Sequence, residues 1–290
     1  MAENTNIADL VNRMPPLDEP TTNKDGKKET RDAGKLTGPA WPAAAAIIDP
    51  ILAAGPAGIT ALLDLIKELD NGEDYKARYT MHALCIYCCR PDKSEQRNVL
   101  VTTLIEQLGS NRPKPTLGLI LRELRDIGDA RIVPAAGKLL LDEQLSADAL
   151  AAILAIRQGA AEQIRAALPN AKARIRLSLI QALGTLRDTA SAPALRQAAA
   201  DTDVDTRLAA LWSLATLPDA QSADTLLKAA TTEGYGQSQA TKACLLLAEN
   251  LSAAGQKADA KRIYETLRTS RKDPKDQYLR DIATAAMSGL

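Results

Sequence analysis

The chain has 290 residues but no phenylalanine, only two tryptophans and six tyrosines, and a single histidine. Its core must therefore be built from aliphatic side chains and alanine, which let helices approach closely. One histidine supplies general acid–base and triad mechanisms poorly. No glycine-rich phosphate loop follows a strand pattern, and no convincing strand pattern is present. Net charge is also missing: Lys plus Arg and Asp plus Glu are 36 each. A dedicated nucleic-acid-binding domain is usually strongly basic, so this balance weighs against nucleic acid as a partner. No uninterrupted apolar run approaches the 18 residues of a membrane span. The most apolar stretch, 40–58, is broken by Asp49, Pro42, Pro50, Gly55 and Pro56 and reads as core helix.

Four cysteines, three of them crowded at Cys85, Cys88 and Cys89, do not make a disulfide framework. They read as reduced thiols, which implies a cytoplasmic setting. The opening MAENTNIADLVNR has no basic segment followed by an apolar run and does not read as a secretory signal. Residues 1–38 are polar and read as a disordered tail, with a short amphipathic turn at Ile7, Ala8, Leu10, Val11 and Met14. That turn is a candidate docking arm for a partner.

What the sequence does contain is a repeat. Arg176, Leu183, Leu186, Asp188 and Leu195 recur 31 residues later as Arg207, Leu214, Leu217, Asp219 and Leu226. Extended towards the N-terminus, the apolar columns run Ile120, Ala149, Leu179, Ala210 and Leu121, Leu150, Ile180, Leu211. They continue as Leu124, Ile153, Leu183, Leu214 and Ile127, Ile156, Leu186, Leu217. One unit earlier they fall on Met81, His82, Cys85 and Cys88, and Arg78 joins the column of Arg176 and Arg207. A fixed period of this size with helical apolar spacing predicts stacked helical hairpins. Helices are expected near 43–54, 58–69, 75–89 and 94–108, with a turn at Asp70-Asn71-Gly72-Glu73-Asp74. The Pro-containing connection Gly109–Pro115 is the expected place for a change in the stacking.

The motifs Asp203-Val204-Asp205-Thr206-Arg207, Ala209-Ala210-Leu211, Leu214 and Pro218-Asp219, with the corner Gly128-Asp129-Ala130-Arg131-Ile132-Val133-Pro134, resemble HEAT-like repeats. The likeness is to the short class of phycobilisome-lyase-type proteins and covers about 75–230. It implies a right-handed all-α superhelix of armadillo type. It is specific for fold and says little of function. Cys244, Leu247, Ala248, Leu251, Ala260, Tyr264 and Leu267 are similar to one tetratricopeptide unit, which reads as a cap on the array. The expected organisation is a tail over 1–38, a repeat solenoid over 39–235 and a helical cap over 236–290.

His82, Cys85, Cys88 and Cys89 have zinc-friendly side chains, but structural zinc wants four ligands, usually from two elements, and three of these positions fall in the apolar columns. They read as core, and no metal or cofactor is expected. HEAT-like proteins include a di-iron hydroxylase family that needs several His-Glu pairs; here Ala83 follows the one histidine, so that chemistry is excluded. Asp201, Asp203 and Asp205 lack the glycine and glutamate of a calcium loop and read as helix caps, with Arg207 and its column paired to Asp203 and Asp205. Trp212 reads as lying beside the core leucines of its helix.

The expected function is non-catalytic: a scaffold or adaptor that binds a protein partner on the concave face of the array. Candidate contact residues are Tyr75, Arg78 and Tyr79, with Arg174, Arg176 and Arg207 as a basic ladder. Two alternatives remain: a nucleic-acid binder of the alkylpurine-glycosylase-like HEAT type, and a lyase-like or chaperone-like helper of a cofactor protein.

Overall fold

The computed structural model describes residues 6–14, 21–22, 28–29, 41–67 and 73–290. Most of the expected tail and the expected Asn71-Gly72 turn lie outside the described residues. The chain divides into two compact units, 1–158 and 159–290. The division falls inside the stretch expected to be one array, not at Gly109–Pro115. Arg112 ties the proline-containing connection down, pairing with Asp64 at 2.8 Å and donating to Gln107 at 2.6 Å. At the boundary, by contrast, Arg157 and Gly159 both adopt positive φ, 65° and 73°.

The first unit holds α1 (Ile7–Asn12), α2 (Trp41–Ala53), α3 (Gly55–Asp64), α4 (Tyr75–Cys88), α5 (Ser94–Leu108), α6 (Lys114–Ile127), α7 (Ile132–Gly137) and α8 (Ser146–Ile156). Thr21–Thr22 and Lys28–Glu29 add a two-residue antiparallel ladder. The first helices of successive hairpins stack, α4 on α6 and α6 on α8. Their column residues Met81, Cys85, Cys88, Ile120, Leu121, Leu124 and Ile153 are buried. Helix α1 departs from the expected disordered docking arm. Ile7, Leu10, Val11 and Met14 are buried, and the helix packs on α2, α3 and α4 of its own unit. Four apolar side chains on one face drive that burial, and Asn6 caps the helix through the Ala8 N–H. The apolar stretch after Trp41 forms α2 and α3, bent by 117° at their junction. Gly58 allows the bend, because a Cβ there would meet the Ile51 carbonyl oxygen at 2.3 Å. Among the described residues no single helix is long and apolar enough to cross a membrane; this bent pair alone meets that test by length and composition together.

The second unit holds α9 (Ala160–Ala167), α10 (Ala173–Leu186), α11 (Ala192–Ala198), α12 (Val204–Ala215), α13 (Ala223–Thr231), α14 (Gly236–Ala253), α15 (Lys257–Ser270) and α16 (Gln277–Ser288). Again the first helices stack, α10 on α12 and α12 on α14. Gly184 lies so close to Ser213 that a Cβ would meet the Ser213 Cα at 2.8 Å. Two side chain to main chain bonds close the seam: Ser213 donates to the Ile180 carbonyl and Thr216 to the Gly184 carbonyl, each at 3.0 Å. Both units thus show the all-α hairpin stacking that the period predicts. The cap residues Cys244, Leu247, Ala248, Leu251, Ala260, Tyr264 and Leu267 are all buried between α14, α15 and their neighbours, and α16 covers α15.

The Gly184 seam generates a test. Gly184→Ala adds a methyl against main-chain atoms that cannot move aside, and overpacking of this kind costs about 1–3 kcal/mol, against about 1 kcal/mol gained in helix propensity. Urea denaturation of the full chain should show a net loss approaching about 2 kcal/mol, the upper end of that balance, because the added Cβ meets the Ser213 Cα itself. Gly109→Ala, with only the Glu106 carbonyl nearby at 3.5 Å, should stay within about 0.5 kcal/mol. Equal stability of the two variants would refute the seam.

Candidate functional site

The residues named from sequence fall into different units. Tyr75, Arg78 and Tyr79 sit on α4 of the first unit, with both tyrosine rings half-buried. Arg78 is taken up by structure: its Nε bonds the Asp74 carboxylate at 2.9 Å and its Nη2 donates to the Lys67 carbonyl. The Asp74 side chain is fully buried and also accepts the Lys67 N–H at 2.8 Å. Burial alone would raise the Asp74 pKa, but hydrogen bonds from Arg78 and the Lys67 N–H, with the Arg78 charge, hold it below the ordinary carboxylate value. Tyr87 is core: its hydroxyl donates to Asp49 at 2.7 Å, and Lys93 lies 4.7 Å from its ring centre.

In the second unit Arg174 is exposed, whereas Arg176 pairs with Asp201 at 3.3 Å. Arg207 donates to the main-chain carbonyls of Asp201 and Thr202, both at 2.8 Å. The expected pairing of this column to Asp203 and Asp205 is therefore corrected. Asp203 is occupied as the cap of α12, accepting the N–H and hydroxyl of Thr206. A second set of arginines serves the repeat corners. Arg165 on α9 pairs with Asp188, and 31 residues on Arg196 on α11 pairs with Asp219. These corner aspartates were visible as a sequence column, but their partners were not.

Arg207 nevertheless borders a groove of about 610 Å³ between α11, α12, α13 and the 232–236 connection. Its floor is Leu208 and Leu211 of α12, flanked by Ala199, Ala200 and Ala229. Its rim carries Arg196, Arg207 and Lys228 against one carboxylate, Glu233. Arg196 is neutralised by Asp219, so Arg207 and Lys228 leave the rim positive. Val204 and Tyr235, the latter 82% exposed, line the groove, and Trp212, 50% exposed, lines an adjoining cavity that shares Leu208, Leu211 and Tyr235 with it. A smaller cavity of about 180 Å³ lies between Trp212, Tyr235, Leu208, Leu211 and Gln239. Trp212 is thus not in the core beside its leucines. A rotation of about 100° per residue turns position 212 away from the face of Leu211 and Leu214, which a helical wheel shows. Tyr235 stands between Gly234 and Gly236, a loop context that does not belong to a core aromatic.

Cys85, Cys88 and Cys244 are buried and Cys89 is exposed. Burial pushes the Cys88 and Cys244 thiols up to about 12 and Cys85 well above its ordinary value. His82 does not follow them into the core. Its side chain is 48% exposed, and Nδ1 lies 3.0 Å from Oε2 of the buried Glu123 on α6. That carboxylate across the interface is why the column position tolerates a polar ring. The bond to Glu123 raises the His82 pKa against the opposing effect of partial burial. Together with Asp126 these two residues are a group, among the described residues, that could hold a metal ion.

Comparison with known proteins bears on the fold. The family model described as HEAT repeats matches residues 161–244, so that segment carries HEAT repeats. No curated protein matches the chain. Among solved structures, the CpcE–CpcF complex of phycocyanin lyase from Nostoc sp. PCC7120 is 19% identical, covering 88% of this chain and 100% of that chain, with a TM-score of 0.36. Human deoxyhypusine hydroxylase with glycerol is 14% identical, covering 87% of this chain and 92% of that one, with a TM-score of 0.33.

The Asp74–Arg78 pair gives a signed pH dependence. A carboxylate whose folded pKa is depressed contributes stability above its unfolded value, about 3.9, and loses it as pH falls through the folded value. Arg78→Ala leaves a buried carboxylate short of its main partner and should cost about 3 kcal/mol at pH 7. The difference from the parent chain should shrink as urea denaturation is repeated from pH 5 down to pH 3. A difference that stays constant over that range would show that the pair does not act through the Asp74 charge.

Proposed function

We propose that the chain is a non-catalytic interaction module, a scaffold or adaptor, whose second unit binds an acidic, apolar segment of a protein partner in the α11–α13 groove. The observation that carries this reading is that the apolar groove with its cations Arg207 and Lys228 shares Leu208, Leu211 and exposed Tyr235 with the adjoining cavity lined by exposed Trp212. Exposed aromatics beside arginine are the side chains that most often dominate protein interfaces. The small residues Ala199, Ala200 and Ala229 leave room for a partner's side chains between the helices. The positive rim selects carboxylates that flank the apolar contact. Catalysis has little to work with there: among the described residues the groove lining holds no histidine or cysteine, and Glu233 is its single acid.

The test uses a displayed library of random 12-residue peptides selected against the full chain. Enriched peptides should place Asp or Glu beside aromatic or aliphatic residues. Trp212→Ala should weaken a selected synthetic peptide about 30-fold, the effect of a hot-spot loss of about 2 kcal/mol. Lys228→Glu should weaken it about tenfold, with the difference shrinking in high salt. Peptides that bind the Trp212→Ala chain equally well, or a basic consensus, would overturn the reading. So would tight binding of single-stranded DNA with a steep salt dependence, which would make the groove a nucleic-acid site.

A further inference from the structure

The α4–α6 interface of the first unit brings together donor side chains that the groove does not use. Helix α4 presents His82 and Cys85, three residues apart; α6 presents Glu123 and Asp126 at the same spacing. Residues three apart on a helix share a face, so each helix offers a pair rather than a single group. The two faces meet. Besides the 3.0 Å approach of His82 Nδ1 to Glu123 Oε2, one donor atom each from His82, Glu123 and Asp126 lie within 4.8 Å of one another.

Depth matters as much as distance. Glu123 is only 4% exposed and forms the floor, while His82 and Asp126 stand exposed at the mouth. A carboxylate held this deep in an aliphatic interface requires a cationic or hydrogen-bonding partner. Of the neighbouring cations, Arg122 is committed to Asp148 at 3.0 Å, while Arg125 bonds one oxygen of Asp126 at 2.9 Å and leaves the other for an ion. The site is thus a small cup with a buried anionic floor, an imidazole and a second carboxylate on its rim, and access from solvent.

We propose that His82, Glu123 and Asp126 bind a divalent late transition-metal ion, Zn²⁺ foremost, which bridges α4 and α6. Ligands about 2.1 Å from a tetrahedral zinc sit roughly 3.4 Å apart, so the three donors need to close by about an ångström. Exposed His82 and Asp126 make that adjustment by side-chain rotation alone. The imidazole favours zinc, nickel, cobalt or copper over magnesium and calcium, which prefer all-oxygen sites. Three protein donors leave a coordination position for water, as in open zinc sites. The ion binds the folded interface and not the unfolded chain, and therefore stabilises the first unit.

Full-length protein carrying Cys89→Ser, which removes the exposed thiol, is stripped with chelator and titrated with ZnCl₂ by calorimetry and thermal melting. One equivalent per chain and a raised Tm are expected, with no response to MgCl₂ or CaCl₂. Asp126→Asn alters an exposed side chain and should weaken Zn²⁺ at least tenfold while leaving the metal-free melt near that of the parent; His82→Ala should weaken Zn²⁺ as much but lower the metal-free melt, because it leaves the buried Glu123 without its partner. CoCl₂ should give weak visible bands without a thiolate charge-transfer band. Sub-stoichiometric uptake, or equal affinity in parent and His82→Ala, would mean that His82 and Glu123 form an ion pair only. A cobalt–thiolate band that disappears in Cys85→Ser would overturn the assigned ligand set.

Discussion

The second unit depends on how closely its first helices can approach. Gly184 against Ser213 brings α10 and α12 nearly into main-chain contact, and the Ser213 and Thr216 hydroxyls bond the opposite helix's carbonyls across that seam. A helix surface of alanine, glycine and serine buries little area per residue, so it must compensate by proximity and by many small contacts. The absence of phenylalanine is the compositional side of the same constraint. A large ring at these positions would hold the hairpins apart and break the hydrogen bonds that set their register.

Charge follows the repeat in a second way. Each corner aspartate, Asp188 and Asp219, receives an arginine from the preceding hairpin, Arg165 and Arg196. Arg176 and Arg207 bind the connection that leads into α12, one through a carboxylate and one through carbonyls. Arginine suits both tasks, because its planar fork serves carboxylates and carbonyl oxygens alike. Neutral overall charge is then the outcome of arginines and aspartates matched locally, hairpin by hairpin. Arg207, bound to carbonyls, and Lys228 lie at the groove, and their position makes its rim positive.

The fold was legible because periodicity records burial directly. The columns through Leu183 and Leu214 are core in every unit that carries them. Side-chain direction at column edges was not legible. His82 shares a column with Leu121, yet it turns outward because Glu123 waits across the interface, a contact 41 residues away in sequence. The arginine column pointed correctly to recurring structure but not to the right acids, since pairing runs between hairpins and a single sequence does not say which carboxylate caps a helix. Helix α1 was misread for a related reason. Its four apolar residues are too few to fold alone, and only the faces of α2, α3 and α4 show where they go.

The groove also has a physical origin in the repeat. The first helices of the earlier hairpins, α4, α6, α8, α10 and α12, run 11 to 14 residues, but α14 runs for 18. A longer helix cannot continue the same hairpin register, and the HEAT match ends inside it, at residue 244. The chain accommodates the change between α13 and α14, where Gly234 takes a φ of +131° and carries Tyr235 out of the stack. Helix α14 still stacks on α12 and α13, but the 232–236 connection leaves the space beside Leu208, Ala199, Ala200 and Ala229 open. The groove therefore lies where one kind of repeat gives way to another kind of cap.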